Sequence, residues 1–257
     1  MAYHVPNKHH DFHDLPRPLV AMENRWPAGT STGWHAHPKA QLLYAIAGVM
    51  IVHSEAGSWV VPPSRALWMV AGLRHDVTMS GNVEIRTAYI DANAVPGLPE
   101  RSCVINVSPL LRELLVEAVR IARDRKLTPR DERLVGLLLD ELSVSNAIPL
   151  HLPMPGDPRL QSICRSLMEQ PGSQLSAGDW AEASGMGERT LHRLFSNETG
   201  MTFSQWREQA RLLAALKLLA EGKKGIEIAL DCGYASQSAF SAMFRRHFGV
   251  SPSMFYR

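Results

Sequence analysis

This sequence has few cysteines, no long apolar run and almost no net charge. Its three cysteines, Cys103, Cys164 and Cys232, are far apart and form no CxxC pair, so neither a disulfide framework nor a thiolate zinc site is expected. No apolar stretch reaches the ~20 residues of a membrane span. The polar opening MAYHVPNKHHDFHDLPRP lacks the apolar segment of a secretion signal. We therefore expect a cytoplasmic protein without a membrane partner.

The small net charge does not by itself indicate nucleic acid. The formal charge is +2. Residues 157–257 carry 12 Lys/Arg against 10 Asp/Glu, and residues 1–156 carry 15 against 15. Any DNA-binding function must therefore depend on where the charges lie and not on how many there are.

The first half of the chain is typical of β-structure followed by two helices. Between residues 20 and 90 the runs LLYAIAG, VMIVHS, SWVVPP, ALWMVAG and VEIRTAYI are separated by Gly, Pro and Asn, which predicts short strands in a sandwich or small barrel. From Ser108 onward, apolar residues recur at intervals of three and four residues. This spacing predicts amphipathic helices at about 108–122 and 130–145.

Four prolines mark the boundary between two domains. The stretch AIPLHLPMPGDP contains Pro149, Pro153, Pro155 and Pro158, a density that predicts a stiff, extended linker. We predict an α+β multidomain chain: a β-barrel with two trailing helices, then an all-α domain with two helix-turn-helix units. The predicted segments are 1–107 for the barrel, 108–146 for the helical pair, 147–158 for the linker and 159–257 for the helical domain.

Two stretches of the helical domain resemble each other. They are LSAGDWAEASGMGERTLHRLFSNETG and GIEIALDCGYASQSAFSAMFRRHFG. Each combines a short helix, a glycine (Gly185 or Gly233) and a second helix with a Phe-centred apolar stripe. This is the pattern of a helix-turn-helix, in which glycine permits the sharp turn.

The second helix of each unit has a polar face suited to a DNA groove. In the first unit that face lies opposite Leu191, Leu194 and Phe195. Arginine is the commonest reader of guanine, glutamine can read adenine, and further arginines suit phosphates. Ordinary solvated helix faces look similar, but two such units in tandem favour DNA binding. The candidate DNA-binding residues are Arg189, His192, Arg193 and Ser196 in the first unit, and Gln237, Ser238, Ser241, Arg245 and Arg246 in the second.

A single long helix is predicted between the two units. The stretch MTFSQWREQARLLAALKLLAEG begins with Thr202 and Gln205 in the spacing of a capping box, and Gly222 can end the helix. Such a helix would hold the two recognition helices at a fixed separation, and adjacent major-groove sites on one face of DNA lie roughly 34 Å apart.

The end of the chain resembles the signature of the AraC/XylS family of bacterial transcription regulators. LHRLFSNETG is similar to the family's first recognition helix. The resemblance implies a seven-helix domain, base contacts at Arg189, His192, Arg193, Gln237 and Ser238, and fewer contacts near Ala242, where a long polar residue is common. In the second unit the matching residues are Ile228, Ala229, Gly233, Tyr234, Ser236, Phe240, Phe244, Phe248, Gly249, Pro252 and Arg257.

A histidine pattern in the N-terminal half resembles the cupin motifs. His35 and His37 alternate on one predicted strand face and are followed by Gln41, with His75 after a later strand. Cupins are small barrels that bind a metal or a small molecule. Gln41 stands where the motif has Glu, and Val70 stands where it has Pro. An amide is a neutral, weaker ligand than a carboxylate.

Three interpretations of His35, His37, Gln41 and His75 are open. They bind one divalent transition metal ion, they hydrogen-bond an organic effector in a pocket that Trp68 also walls, or they are remnants of the fold. Zinc, nickel, copper and iron all accept imidazole, so the metal is not identified.

The combined resemblance implies an effector-controlled regulator, either an activator or a repressor. It implies a double-stranded DNA operator, a small-molecule effector and RNA polymerase as partners. It also implies a homodimer formed by the two trailing helices. We do not expect an enzyme; the alternatives are a cupin metalloenzyme with an appended DNA-binding domain and a metal-independent interaction module. The apolar faces assigned to dimerisation are Leu110, Leu111, Leu114, Leu115 and Val119 in the first helix, and Leu134, Leu137, Leu138 and Leu142 in the second.

Overall fold

The computed structural model describes residues 16–255 except 64, 95, 146 and 149. The first 15 residues of the polar opening, Pro149 and Arg257 lie outside the described residues. The chain divides into two compact units: one holds the residues up to Glu55 together with Trp59–His151, and the other holds Ala56–Ser58 together with Leu152 onward. The division between His151 and Leu152 lies inside the proline-rich segment 147–158.

The first unit is built on one sheet. Its strands are antiparallel and neighbour each other in the order β1-β5-β2-β4-β6-β7, with β3 paired to β2. The strands are β1 (Leu19–Trp26), β2 (Ala40–Ser54), β3 (Gly57–Val61), β4 (Arg65–Met69), β5 (His75–Ile90), β6 (Cys103–Asn106) and β7 (Ala147–Ile148). A further short strand, β8 (His151–Pro153), begins at the last residue of the first unit and continues into the second.

Two of these strands are longer than the sequence predicts. LLYAIAG and VMIVHS form one strand, β2, and VEIRTAYI is the second half of β5. The prediction of a turn at Gly48 is wrong. Gly48 (φ 74) lies next to register shifts between Ala45 and Ala47 and between Ala47 and Val49, so it belongs to a β-bulge. A Cβ at Gly48 would lie 2.5 Å from the Asn82 carbonyl oxygen, which explains why glycine is needed there.

The sheet presents different residues on its two faces because side chains alternate along a strand. Leu42 pairs with Trp68 and with Ala88, so these three share one face. That face packs on α1 (Pro109–Val119) and α2 (Pro129–Ser143) and forms the core of the first unit. The residues of α1 and α2 buried in this core are Leu111, Leu114, Leu115, Ala118, Leu134, Val135, Leu138, Leu139 and Leu142.

The second unit is helical. In each helix-turn-helix pair a glycine with positive φ makes the turn, Gly185 (φ 64) between α4 and α5 and Gly233 (φ 73) between α7 and α8, which confirms the two predicted units. The helices are α3 (Pro158–Glu169), α4 (Ala177–Ala183), α5 (Glu188–Thr199), α6 (Phe203–Ala220), α7 (Gly225–Asp231) and α8 (Gln237–Phe248), followed by a 3-10 helix (Pro252–Met254).

The sheet-rich first unit and the helical second unit together confirm the predicted fold class. Within the part of the chain that the structure describes, no helix combines the length and the apolar character of a membrane span.

Candidate metal centre and DNA-binding surface

The three predicted histidines meet on the sheet face opposite α1 and α2. His35 and His75 form an antiparallel bridge, in which each backbone N–H donates to the other residue's carbonyl oxygen at 2.9 and 2.8 Å. His37 follows two residues after His35 on the same extended segment, and its carbonyl oxygen accepts from the Gly72 N–H. The ring centroids of His35 lie 4.7 Å from His37 and 4.4 Å from His75.

One ring nitrogen from each histidine lies within 4.8 Å of the other two, a spacing that a metal ion can bridge. His35 Nδ1 lies 2.7 Å from the Gly33 carbonyl oxygen, and His75 Nδ1 lies 2.8 Å from the Leu73 carbonyl oxygen. A carbonyl oxygen only accepts, so Nδ1 carries the hydrogen in both rings. The lone pair of each neutral ring is therefore on Nε2, as in a metal-binding imidazole.

Gln41 has its amide oriented by two side chains on β5. Its Nε2 donates to Thr87 Oγ1 and to Tyr89 Oη, both at 3.2 Å. The Thr87 hydroxyl donates its own hydrogen to the Leu42 carbonyl oxygen at 3.0 Å, so toward Gln41 it can only accept. This fixes Nε2 on the Thr87 side, and Oε1 faces the other way.

The oxygen of Gln41 is available to a ligand. Gln41 is 4% exposed, and its Oε1 is buried without a hydrogen-bond partner among the described residues. A buried acceptor left in this state is costly. The Tyr89 ring that holds the amide also lies 4.9 Å from the His37 ring. Gln41 lines the same cavity as His35, and an amide oxygen and an imidazole nitrogen are both possible donors to a divalent transition metal ion.

The cavity beside these residues is small. His35 and Gln41 line it with Thr32, Met79 and Thr87, and the space open to the centre of a water molecule is about 20 Å³. That volume suffices for one water molecule or a comparable small body. The described residues that line the cavity include no Asp or Glu.

Trp68 lies away from this cavity, contrary to the sequence-based expectation. The pairing of Trp68 with Leu42 places it on the face that carries α1 and α2, whereas Gln41 pairs with Met69 on the opposite face. The Trp68 indole N–H donates to the Pro99 carbonyl oxygen at 2.8 Å. Trp68 is therefore part of the helix-facing core and does not wall the histidine pocket.

The candidate recognition helix α5 has the predicted two-sided character. Leu191 and Phe195 are buried, while Arg189, His192, Arg193 and Ser196 are exposed. No ion pair joins Arg189 or Arg193 to any residue that the structure describes. The His192 ring lies 3.5 Å from the Glu188 carboxylate. The two arginines are therefore available to an external anion or base edge.

Of the predicted DNA-binding residues on the second candidate helix, α8, some are exposed to solvent and one pairs with a residue of α6. Phe240 and Phe244 are buried. Gln237, Ser238 and Arg245 are exposed, and Ser241 is half-buried. Arg246 is different, because its guanidinium pairs with Glu208 on α6.

Sequence reasoning missed Thr87 and Tyr89. Both are inside strand β5, where a hydroxyl-bearing residue normally indicates only β-propensity. Their role depends on the register that places Gln41 opposite Tyr89. A correct β2–β5 pairing would have revealed it.

Two family models match the chain. A model described as an AraC-like ligand binding domain matches residues 25–179, and a model described as a helix-turn-helix domain matches residues 180–257. The first covers more than half of the chain.

Curated relatives are transcription regulators. The regulator NimR of Escherichia coli is 34% identical over 221 residues, which span 86% of this chain and 81% of NimR. RipA of Corynebacterium glutamicum is 36% identical over 103 residues, which span 40% of this chain and 31% of RipA. Among solved structures, ToxT from Vibrio cholerae is 15% identical and covers 93% of this chain and 98% of its own, with a TM-score of 0.40.

Proposed function

This chain belongs to the AraC family of transcription regulators, with a ligand-binding domain followed by a helix-turn-helix DNA-binding domain, and on that premise we propose that the regulator senses a divalent transition metal ion. His35, His37 and His75 would hold the ion through ring nitrogens, with the Gln41 oxygen as the fourth protein donor. The bound ion would change the affinity of the regulator for its operator.

The observation that carries this proposal is the pre-oriented donor set. Two imidazoles present Nε2 because backbone carbonyls hold Nδ1, and the Gln41 oxygen is buried without a hydrogen bond. The cavity that His35 and Gln41 line, of about 20 Å³, has room for one body of the size of a water molecule, so at this position a metal ion fits better than an organic effector of many atoms. Together these features favour a metal ion over the organic effector that the sequence left open.

Elemental analysis of the purified, untagged protein tests the proposal. We expect about one transition-metal ion per chain, as a single site of this type would hold, and loss of that ion in the double variant His35→Ala/His75→Ala. The matched control is His192→Ala, which removes an exposed histidine and should keep the metal. Absence of metal in the wild type after incubation with zinc, nickel and iron salts would sink the proposal, and a screen of organic ligands would follow.

We further propose that the regulator acts as a homodimer through the outward faces of α1 and α2. The two helices run antiparallel, because Ser108 at the start of α1 bonds Glu141 near the end of α2 while Glu117 pairs with Arg130. Leu110 and Leu137 stay 45% and 43% exposed on these helices. Gly136, inside α2, has nothing within 4 Å of a Cβ built on it, which leaves room for another helix to approach.

The remaining partners follow from regulation of transcription. A dimer would bind a double-stranded operator with repeated half-sites, which doubles the base contacts. Activation would require contact with RNA polymerase. Because the operator and RNA polymerase are both in the cytoplasm of a bacterium, we propose that the regulator is cytoplasmic. We propose no catalytic activity. The curated relatives are transcription regulators.

A further inference from the structure

The loop between α3 and α4, residues 170–176, touches the turn of the second helix-turn-helix unit. A Cβ built on Gly172 would lie 2.7 Å from the Asp231 carbonyl oxygen and 3.3 Å from the Gly233 nitrogen. A Cβ built on Gly233 would lie 2.9 Å from Gly172 Cα. The two backbones are therefore in direct contact, and neither position has room for a side chain.

Two arginines of α6 hold this loop in place. Arg211 Nε donates to the Pro171 carbonyl oxygen at 3.0 Å, and its guanidinium also donates to the Ser173 carbonyl oxygen at 3.2 Å. Arg207 donates to the carbonyl oxygens of Leu175, at 2.8 Å, and of Ser173. The α3–α4 loop is thereby fixed to the helix that joins the two reading units.

The same loop leads directly into the first unit. Ser176 ends the loop and caps α4, where its hydroxyl accepts from the Asp179 N–H at 3.1 Å. A displacement of the loop therefore moves α4 and, with it, the recognition helix α5. The guanidinium of Arg211 also lies 5.9 Å from the ring centroid of Tyr234, which is the residue that follows Gly233.

A second connection of this kind matters because α6 alone does not orient the two units. Its 18 residues span about 27 Å, and short non-helical segments separate it from α5 and from α7. These segments leave the roll of each unit about α6 to lateral contacts. The contact between the α3–α4 loop and Gly233 is such a lateral contact.

We propose that Gly172 is a positioning residue that sets the spacing at which α5 and α8 read DNA. Because Gly172 has no side chain, the α3–α4 loop packs directly against the Gly233 turn of the second helix-turn-helix unit. This contact fixes the separation between the two major-groove segments that α5 and α8 bind. The inference rests on DNA binding by both helix-turn-helix units.

The test variant is Gly172→Ala in the full-length protein. Gly172 is not among the glycines with positive φ, so alanine there alters the contact with the second turn without straining its own backbone. Gly156→Ala is the matched control, since its added Cβ meets only the flexible end of Glu198 at 3.8 Å. Arg211→Lys is the second variant, because it keeps the charge but loses the forked contact with the α3–α4 loop.

The experiment uses a DNA site selected from a random library by the wild-type protein. Derivatives carry one base pair inserted or removed between the two segments that footprinting assigns to α5 and α8. We expect Gly172→Ala and Arg211→Lys to reduce the preference for the original spacing by about ten-fold, comparable to one mismatched base pair. Gly156→Ala should keep the wild-type spacing preference. The affinity for random DNA should be unchanged in every variant.

A common loss of affinity on all spacings, or an unchanged spacing preference in both test variants, overturns the inference. Thermal melting checks folding. Should Gly172→Ala fail to fold, Arg211→Lys decides alone. Failure of the wild type to select any site would contradict DNA binding itself, which is a separate outcome.

Discussion

At the scale of single residues, the metal-binding hypothesis depends most on Gln41. The cupin-like pattern predicted its position but not the state of its amide. The amide is oriented by Thr87 and Tyr89, which come from a strand more than 40 positions later. Since an isolated sequence does not give strand register, this part of the site could not be predicted.

Removal of the Thr87 hydroxyl tests the orientation of Gln41. We expect Thr87→Val to lower metal affinity by about 10–100-fold, the usual effect of losing a group that orients a ligand. Isothermal titration calorimetry measures the affinity. Thr30→Val is the control, because Thr30 is also buried and donates to a backbone carbonyl, that of Pro27, but does not contact Gln41. Equal affinities in the two variants would show that the Thr87 hydroxyl does not orient a metal ligand.

Arg193 is the residue at which the DNA-binding prediction is sharpest. Its side chain is exposed on α5 and has no ion pair with a described residue. Arg193→Ala should weaken binding to the selected site by about 1–3 kcal/mol, with a smaller change on random DNA, if Arg193 reads a guanine. Anisotropy titrations on both DNAs measure this.

The control for Arg193 is Arg165→Ala, on α3, whose guanidinium bonds Gln161. Equal losses on selected and random DNA would assign Arg193 to a phosphate. No loss on either would remove it from the interface.

At the scale of elements, the sequence predicted the helices better than the strands. The capping box of α6 at Thr202 and Gln205 is present as predicted, because capping depends on residues three apart. The β2 strand was split wrongly at Gly48, since a bulge glycine and a turn glycine look alike in sequence. The bulge depends on the close approach of Asn82, a long-range contact.

Most of the apolar stripe that the sequence assigned to dimerisation by α1 and α2 packs inside the first unit instead. Of the nine residues assigned to a dimer face, most are buried in the first unit's own core. Only Leu110 and Leu137 among them remain exposed. Amphipathic periodicity reveals that a face is buried, but it does not reveal what buries it.

Leu137→Glu tests dimerisation through these helices. A charge at the centre of an apolar interface should shift the protein to monomer, because a buried unpaired carboxylate is strongly unfavourable. Analytical ultracentrifugation over a concentration series measures the state. Leu230→Glu is the control, as Leu230 is 66% exposed on α7. A monomeric wild type, or a dimer that survives Leu137→Glu, would contradict the proposed interface.

At the scale of the whole molecule, the chain combines a ligand-binding domain and a DNA-binding domain. The class of each was predictable from local patterns: the strand runs and His-x-His spacing in one, and the paired turn glycines in the other. The preference for a metal ion as the proposed effector was not predictable, because it depends on cavity size and on the amide orientation of Gln41. Both arise only when strands distant in sequence pair.

Regulation requires that ligand binding in the first domain and DNA binding in the second be thermodynamically coupled. A ligand that changes operator affinity ten- to a hundred-fold needs a coupling of about 1.4–2.8 kcal/mol between its site and the DNA-binding surface. A metal ion supplies this coupling only through a difference between its affinities for the two conformations of the regulator, and a ten- to hundred-fold difference is sufficient.

The most direct measurement is the Kd of the full-length protein for its selected DNA site, by fluorescence anisotropy, in EDTA and then with zinc, nickel or iron(II). We predict that at least one metal changes the Kd of the wild type by about ten- to a hundred-fold. The same metal should leave the Kd of His35→Ala/His75→Ala unchanged. A wild-type Kd that is identical with and without every metal would contradict metal sensing.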